Sequence, residues 1–415
     1  MRKLVIGLSL SLTGAYAAMG RQAAAALGLF VGDANAAGGV EIGGARHALE
    51  LECRDDCSRH DRVREIYRWL CGDRRADLCL GPYSTGLTRA AAIVTGDAGM
   101  LLVNHGGAGD DLHDDRRRLI VSVPTPASEY LEGFVRLLAT LKIWRKRVAI
   151  VSSRTPFARQ VAGGAERACA TRRAWLHGVR LRLKYTANHD PASPPATLIA
   201  ALRRNRINAL VSAGSFDHDV AIMRAVIASS SSIPVLGCVA AGVTGFAEAL
   251  GADADGIVGP SQWEHDRDAP APELGPSAAE FARRMRAHDA AAGCDYPAAQ
   301  AYAAGLLSLA ALRAAGKLDQ LRLRAAFSAL RTSTMFGDFA IDPLSGRQVG
   351  HRMLLVQWHN GRKVLIDAEP DPNAGALEFP SGWRLMAASF GWLRLYRRDE
   401  PYADSSAEDD DDEKP

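Results

Sequence analysis

The sequence predicts an α/β fold of mostly parallel sheets flanked by helices. Three observations predict it. Short apolar runs alternate with helix-length segments over the first 260 or so residues, which is the pattern of βα units. Each run stops in a cluster of glycine and hydroxyl residues, as strands do where they hand over to a helix. A break at Pro124-Thr125-Pro126 then divides the units into two successive series. A parallel sheet of this kind is covered on both faces.

Size and composition agree. A chain of 415 residues should form two domains or more. Hydrophobic content of 47% and 39 glycines suit a large globular α/β protein. A net charge of +3, from 50 basic and 47 acidic residues, gives no electrostatic case for nucleic acid. No apolar run is long enough to span a bilayer.

Taken in order, the first series has strands at Leu4–Leu10, Ala48–Cys53, Leu78–Gly81, Met100–Val103 and Leu119–Val123. Helices fall at Ala18–Ala36, Asp61–Leu70 and Leu87–Val94. The first residues imitate a signal peptide, with Met1-Arg2-Lys3, an apolar run and Ala15-Tyr16-Ala17. A buried first strand is favoured, because cleavage after Ala17 would remove the partner of the next helix. On that reading the sequence as given has no separate export signal. Asn35–Gly39 carries helix C-cap chemistry, and Gly43-Gly44 turns a hairpin-like corner.

The second series opens with helix Glu129–Leu141 and strand Arg147–Ser152. Helix Phe157–Arg172, strand Arg180–Tyr185 and helix Ala196–Arg204 follow. Strand Ala209–Ser212, helix Val220–Ala228, strand Val235–Gly237, helix Thr244–Leu250 and strand Gly256–Val258 complete it. After a Pro- and acid-rich stretch at 261–276 come three helices, Ser277–Ala291, Pro297–Ala315 and Asp319–Leu330. Met335–Phe339 and Arg352–Trp358 read as late strands. From Asp371 the chain is Pro-rich, then aromatic from Trp383 to Tyr396, then acidic at Glu408–Glu413. The aromatic part is expected to dock on its own protein rather than on a membrane surface, and the acidic run to be disordered.

The stretch most suggestive of function is Gly81–Asp111. Its two strand ends, at Ser84-Thr85-Gly86 and Gly106–Gly109, lie where ligands bind in open parallel sheets. Helix N-terminal amides there favour a carboxylate. Enzymatic signatures are missing: Pro82 spoils a G-x-S-x-G elbow, and HExxH, P-loop and GxGxxG patterns are absent. No catalysis and no cofactor are expected. Of seven cysteines, Cys53, Cys57, Cys71 and Cys79 cluster, which permits one disulfide, such as Cys57 with Cys79, that sequence cannot assign. Cys53, Cys57 and His60 lack a fourth ligand, so no metal site is expected.

Several strings coincide with one family. Ser9–Gly14, Asp33–Gly39, Asp55-Asp56, Gly81–Ser84, Asn104–Asp111, Gly259–Trp263, Ala299–Gly305 and Gly337–Gly350 fall in order and at the right spacing. Together they resemble the periplasmic-binding-protein type I fold over roughly residues 3–360. Within that fold the chain looks like the leucine/isoleucine/valine-binding subunits of branched-chain-type ABC importers. The resemblance implies two similar lobes hinged by three crossings, with lobe I at 1–123 plus 263–334 and lobe II at 124–262 plus 335–365. Residues 366–415 would form a C-terminal extension. It implies a small-molecule ligand (an amino acid, aromatic carboxylate or amide), an ABC permease as partner, and a periplasmic location. A cytoplasmic amide-sensing regulator on the same fold is the alternative, since such regulators also begin directly at the first strand.

Carried over position by position, Tyr16 and Met19 should flank the ligand. Beside Tyr83, Ser84 and Thr85 should offer hydroxyls and a backbone N–H to its carboxylate. The second turn, Gly106, Gly107 and Ala108, should bind the ligand through a main-chain carbonyl and N–H, the bare amide of Gly107 among them. From lobe II, Phe157 and Phe216 should cover the ligand, with Gln262 and Trp263 closing the cleft. Two positions depart from the family. Val239 stands where amino-acid binders carry an acid for the ligand ammonium, and Ala108 stands where a hydroxyl is common. Burying an ammonium without a counter-charge would cost several kcal/mol. A carboxylate without an amine, or a neutral amide, therefore fits better; Asp217 and Asp219 are the substitutes to consider.

Overall fold

A computed structural model describes residues 2–72, 75–113, 119–141, 146–186, 196–229, 233–267 and 269–366, and the strands Trp383–Ala387 and Leu393–Arg397. The chain begins with strand β1 (Arg2–Leu10), helix α1 (Ala17–Ala36) and the hairpin β2 (Val40–Ile42) and β3 (Ala45–Asp55). Then come α2 (His60–Cys71), β4 (Leu78–Leu80), α3 (Thr85–Asp97), β5 (Leu102–Asn104) and β6 (Ile120–Ser122). These strands form a six-stranded sheet in the order β2-β3-β1-β4-β5-β6, parallel except for β2. Gly43 (φ 58°) and Gly44 (φ 81°) both take left-handed conformations, as a two-residue hairpin turn of matching twist requires.

Strand β1 lies inside that sheet, paired with β3 along its whole length. Leu4, Ile6, Leu8 and Leu10 are completely buried. Each contributes roughly 1.5–3 kcal/mol of burial. The opening residues thus serve as a structural strand, as the sequence favoured.

The second sheet begins after Pro126. It is built with α4 (Glu132–Thr140), β7 (Lys146–Ser152), α5 (Pro156–Cys169), α6 (Arg172–Leu176), β8 (Val179–Thr186), α7 (Ala196–Arg204), β9 (Ala209–Ala213) and α8 (Phe216–Ala228). β10 (Val235–Cys238), α9 (Gly245–Leu250) and β11 (Val258–Ser261) follow. Helices α10 (Ala278–His288), α11 (Tyr296–Ala315) and α12 (Gln320–Ala329) return to the first sheet. There Phe281, Tyr302 and Phe327 share one core with β1 and α1. Gly305 lets α11 approach α1: a Cβ there would stand 2.6 Å from the Phe30 ring. A short hairpin, β12 (Thr332–Thr334) and β13 (Gly337–Phe339), precedes β14 (Leu354–His359) and β15 (Arg362–Ile366). These last two strands complete the seven-stranded order β15-β14-β11-β10-β9-β7-β8. The chain therefore passes between the sheets three times, near 124, 262 and 350, giving two lobes of mixed α/β architecture.

Some expectations shift. Met335-Phe336 is the turn between two strands rather than part of one, because Gly337 adopts φ 135°. The hairpin β14–β15 was not foreseen; its turn, Asn360 (φ 48°) and Gly361 (φ 73°), is left-handed at both positions. Helix α3 starts two residues earlier than expected, at Thr85. Ile366 ends β15, and within 367–415 only the strands β16 (Trp383–Ala387) and β17 (Leu393–Arg397) are described; they pair antiparallel with each other. The acidic run 408–413 lies outside the described residues. Among the described residues no helix is long and apolar enough to cross a membrane.

Candidate functional site

The loop after β1 is tied down by the two acids that end β3. Asp56 accepts from Ser9 Oγ (2.9 Å) and Ser11 Oγ (2.6 Å). Asp55 accepts from Leu12 N (2.9 Å), Thr13 Oγ1 (2.7 Å) and Cys57 N (2.8 Å). Tyr16 N then donates to Ser58 Oγ at 3.1 Å, which sets Tyr16 at the head of α1. Met19 is half-buried on the first turn of that helix.

The β4–α3 turn is strained. Ser84 caps α3, its Oγ accepting from Leu87 N at 3.3 Å, yet its backbone sits at φ 86°, ψ 146°. That region is essentially reserved for glycine. Ser84 N donates to Gly106 O at 3.0 Å, and Thr85 Oγ1 accepts from Gly109 N at 3.1 Å. The two strand-end turns are thus stitched together.

The β5 turn corrects one detail. Asn104 Oδ1 accepts from Gly106 N (3.1 Å) and Gly107 N (2.7 Å). Its Nδ2 donates to Gly107 O (2.6 Å) and Ser122 Oγ (2.6 Å). The Gly107 amide is therefore engaged inside its own loop and is not a free donor. A Cβ on Gly107 would stand 2.7 Å from Thr88 Cβ, so this residue faces the lobe interior. In these two turns the amides of Thr85, Gly86 and Ala108 have no partner among the described residues.

Around these amides the lobes contribute aromatic rings. Tyr83 and Tyr296 touch through their hydroxyls at 2.7 Å, and the Tyr16 and Tyr83 rings lie 6.1 Å apart. From the other lobe, Tyr130 meets Phe157 edge-on at 5.5 Å. Val239, Ala108 and Phe157 belong to the same hydrophobic cluster as Tyr130. Burial pushes the phenols of Tyr83, Tyr130 and Tyr296 well above their usual range, so all three stay protonated. Phe216 packs elsewhere: it joins the cluster around Phe246, with its ring toward Gly245.

Gln262 and Trp263 do not close a cleft. Trp263 is buried in the core of the first lobe, 5.7 Å from the Phe281 ring, and its Nε1 donates to Met335 O at 2.9 Å. Gln262 ties the crossings together. Its Oε1 accepts from Thr125 N (3.0 Å), and its Nε2 donates to Thr125 O (3.3 Å) and Tyr130 Oη (2.9 Å). Thr125 Oγ1 bonds His351 Nδ1, and His351 Nε2 donates to Phe336 O at 3.0 Å. Burial lowers His351 to about 4, so its ring is neutral, with Nδ1 accepting.

A buried charge cluster lies next to Tyr296. Lys363 donates to Glu264 (2.8 Å), Asp295 (3.2 Å) and Gly242 O (3.2 Å). Thr244 Oγ1 adds a bond to Asp295 at 2.6 Å. Glu264, His265 and Asp266 bring ligand-type atoms within 4.8 Å of one another, but Lys363 already holds Glu264. Elsewhere on the lobe boundary, a cavity of about 730 Å³ opens between Asp110, Ser128, Glu129, Gln160 and Arg347. Its lining is charged and includes none of the tyrosines above.

Sequence reasoning missed Tyr130, Tyr296, Asp295 and Lys363. Tyr296 was hidden beside the helix-starting Pro297. The suggested Cys57–Cys79 bridge is not formed. Cys57 is exposed on a turn, while Cys79 is buried with its thiol beside that of Cys71.

The model for a family described as periplasmic binding protein matches residues 3–363. The chain belongs to the periplasmic binding protein family. Solved structures share this fold at low identity. One is a putative branched-chain amino acid ABC transporter protein from Silicibacter pomeroyi (18% identity, 91% of this chain and 99% of that chain covered, TM-score 0.75). Another is a branched-chain amino acid transporter substrate-binding protein from Streptococcus pneumoniae in complex with isoleucine (17%, 88% and 100%, TM-score 0.72). A third is an ABC transporter solute-binding protein from R. palustris in complex with benzoate (18%, 90% and 99%, TM-score 0.70). In this periplasmic binding protein, the loops that end β4 and β5 and the head of α5 occupy the boundary between the two lobes.

Proposed function

We propose that this protein is the solute-binding subunit of an ABC importer. It captures a small organic acid lacking an amine between its lobes, delivers it to a permease at the outer face of the membrane, and does not transform it. The observation that carries this reading is the pair of unpartnered amides, Thr85 and Gly86, at the N-terminus of the 13-residue helix α3, beside Tyr83. Such amides, reinforced by the helix dipole, are suited to a carboxylate.

The missing amine follows from the acids. Val239 offers no charge. Asp219 is completely buried and already accepts from Ser212 Oγ (2.8 Å) and Ala240 N (3.0 Å). Asp217 is exposed on the first turn of α8. Glu264 and Asp295 are both already engaged by Lys363. A ligand ammonium would have no counter-charge, and leaving it unpaired in a buried site is costly. The benzoate bound by the R. palustris protein and the isoleucine bound by the S. pneumoniae protein mark the two chemistries to separate.

Thermal-shift measurements with benzoate, isoleucine, acetamide and urea test the reading. Stabilisation by benzoate and not by isoleucine is expected. At a hundred times the dissociation constant the gain is about 2.7 kcal/mol. Stabilisation by isoleucine alone contradicts the absent-amine reading.

A further inference from the structure

The phenols at the lobe boundary carry more information than their aromatic faces. A hydroxyl has one proton to give, and the protons here can be counted. Gln262 Nε2 donates to Tyr130 Oη, and the orientation of that carboxamide is fixed by Thr125, whose N–H bonds Oε1 and whose carbonyl takes the other Nε2 proton. Tyr130 therefore accepts, and its own proton is unused. Tyr83 and Tyr296 share a single bond between their oxygens. Two protons are available for that one bond, so one remains. Among the described residues no other group accepts either spare proton. The two spare donors come from different lobes, Tyr130 from the second and the Tyr83–Tyr296 pair from the first.

From this inventory we infer that the cleft selects an acid whose far end carries a neutral oxygen acceptor, such as a keto, amide or ester carbonyl, held by Tyr130 and by the Tyr83–Tyr296 pair. The inference rests on the solute-binding reading above and names the ligand's second group. An ammonium, which can only donate, would leave both spare phenolic protons without an acceptor. A second carboxylate is disfavoured for another reason: it would bury a charge, and Lys363, linked to the residue before Tyr296, already holds both Glu264 and Asp295. Burial keeps the three phenols protonated, so they remain donors throughout the neutral range.

The test is calorimetric titration with two matched series: benzoate, 4-acetylbenzoate, terephthalate and 4-(aminomethyl)benzoate, and pentanoate, 4-oxopentanoate, glutarate and 4-aminobutyrate. In the series that fits the cleft, the keto acid should bind roughly tenfold more tightly than the unsubstituted acid, on the scale of one to two hydrogen bonds. Tyr130→Phe and the double change Tyr83→Phe with Tyr296→Phe should each cut that advantage severalfold, with a smaller loss for the unsubstituted acid, whereas either single change in the pair leaves one phenolic proton to give. An ammonium or second carboxylate binding as tightly as the ketone overturns the inference. So does an equal loss for every ligand in the Phe variants. Failure of all eight acids to bind instead contradicts the carboxylate reading itself, and this inference with it.

Discussion

Lys363, on the hairpin that closes the second sheet, donates to Asp295 at 3.2 Å, and Asp295 directly precedes Tyr296 on the first. With Glu264 at the second crossing, this ammonium joins both lobes and the hinge through side chains that are 7–12% exposed. Removing it leaves two buried carboxylates facing each other. Lys363→Met is therefore expected to cost about 3–5 kcal/mol in urea unfolding, as when one member of a buried ion pair is deleted. Adding Glu264→Gln and Asp295→Asn to it should recover most of the loss. An additive triple variant would show that the three do not act together.

Acid should destabilise the protein through its histidines. Burial lowers His105, His113 and His351 from 6.5 to about 4. Their folded-state values are depressed, so the unfolded chain takes up protons first. The stability they contribute is complete above pH 6.5 and is lost as pH falls from 6.5 through 4. Each fully responding histidine contributes a slope of about 1.4 kcal/mol per pH unit. Asp56, Asp219 and Glu264, raised by burial, act in the opposite sense near their own titration and offset part of the fall. The melting temperature of the wild type should drop across this window, and His351→Gln should flatten the drop by about one proton. A melting temperature constant from pH 7 to 5 contradicts this.

Ser84 holds a glycine-like backbone and a weak cap at once. Relieving such strain is worth of order 1–3 kcal/mol, whereas replacing a Ser cap by Gly costs only a few tenths. Ser84→Gly should therefore raise stability by roughly 1 kcal/mol, and Ser84→Ala, which loses the cap and keeps the strain, should lower it by about 1 kcal/mol. Urea denaturation distinguishes the two. Equal destabilisation by both variants would show that the Ser84 conformation carries no strain.

Gly106 has no room for a side chain. A Cβ there would lie 2.4 Å from Pro82 O and 2.5 Å from Tyr83 Cα, both backbone atoms. Gly106→Ala must push the two turns apart and break the bond between Ser84 N and Gly106 O. A stability loss of about 1–3 kcal/mol is expected, on the scale of overpacking. A loss of acid binding larger than that of Gly32→Ala should accompany it, since Gly32 has open space around it and an ordinary helical backbone. Unchanged binding in Gly106→Ala would remove the β4 and β5 turns from the site.

Much of the fold was legible because β strands, glycine turns and helix caps are local. The alternation after Leu4 and the Gly43-Gly44 corner are examples. The Asn360-Gly361 turn was equally local and was overlooked, and with it the strand that delivers Lys363. The site was less legible because its partners are distant in sequence. Gly107 looked like a free amide until Asn104 was seen to turn back onto it. Trp263 looked like a cleft residue, but its ring lies in a core formed with α10. Tyr130 and Tyr296 read as ordinary positions at helix starts. Only the fold brings one to Gln262 and the other to Tyr83.

Everything in this account depends on two lobes closing over an acid. Small-angle X-ray scattering of the purified protein, with and without whichever acid stabilises it most, measures that directly. The account predicts a smaller radius of gyration with the acid bound, and the same decrease should be absent when a non-binding amine of equal size is added. Superimposable profiles at saturating acid would contradict it.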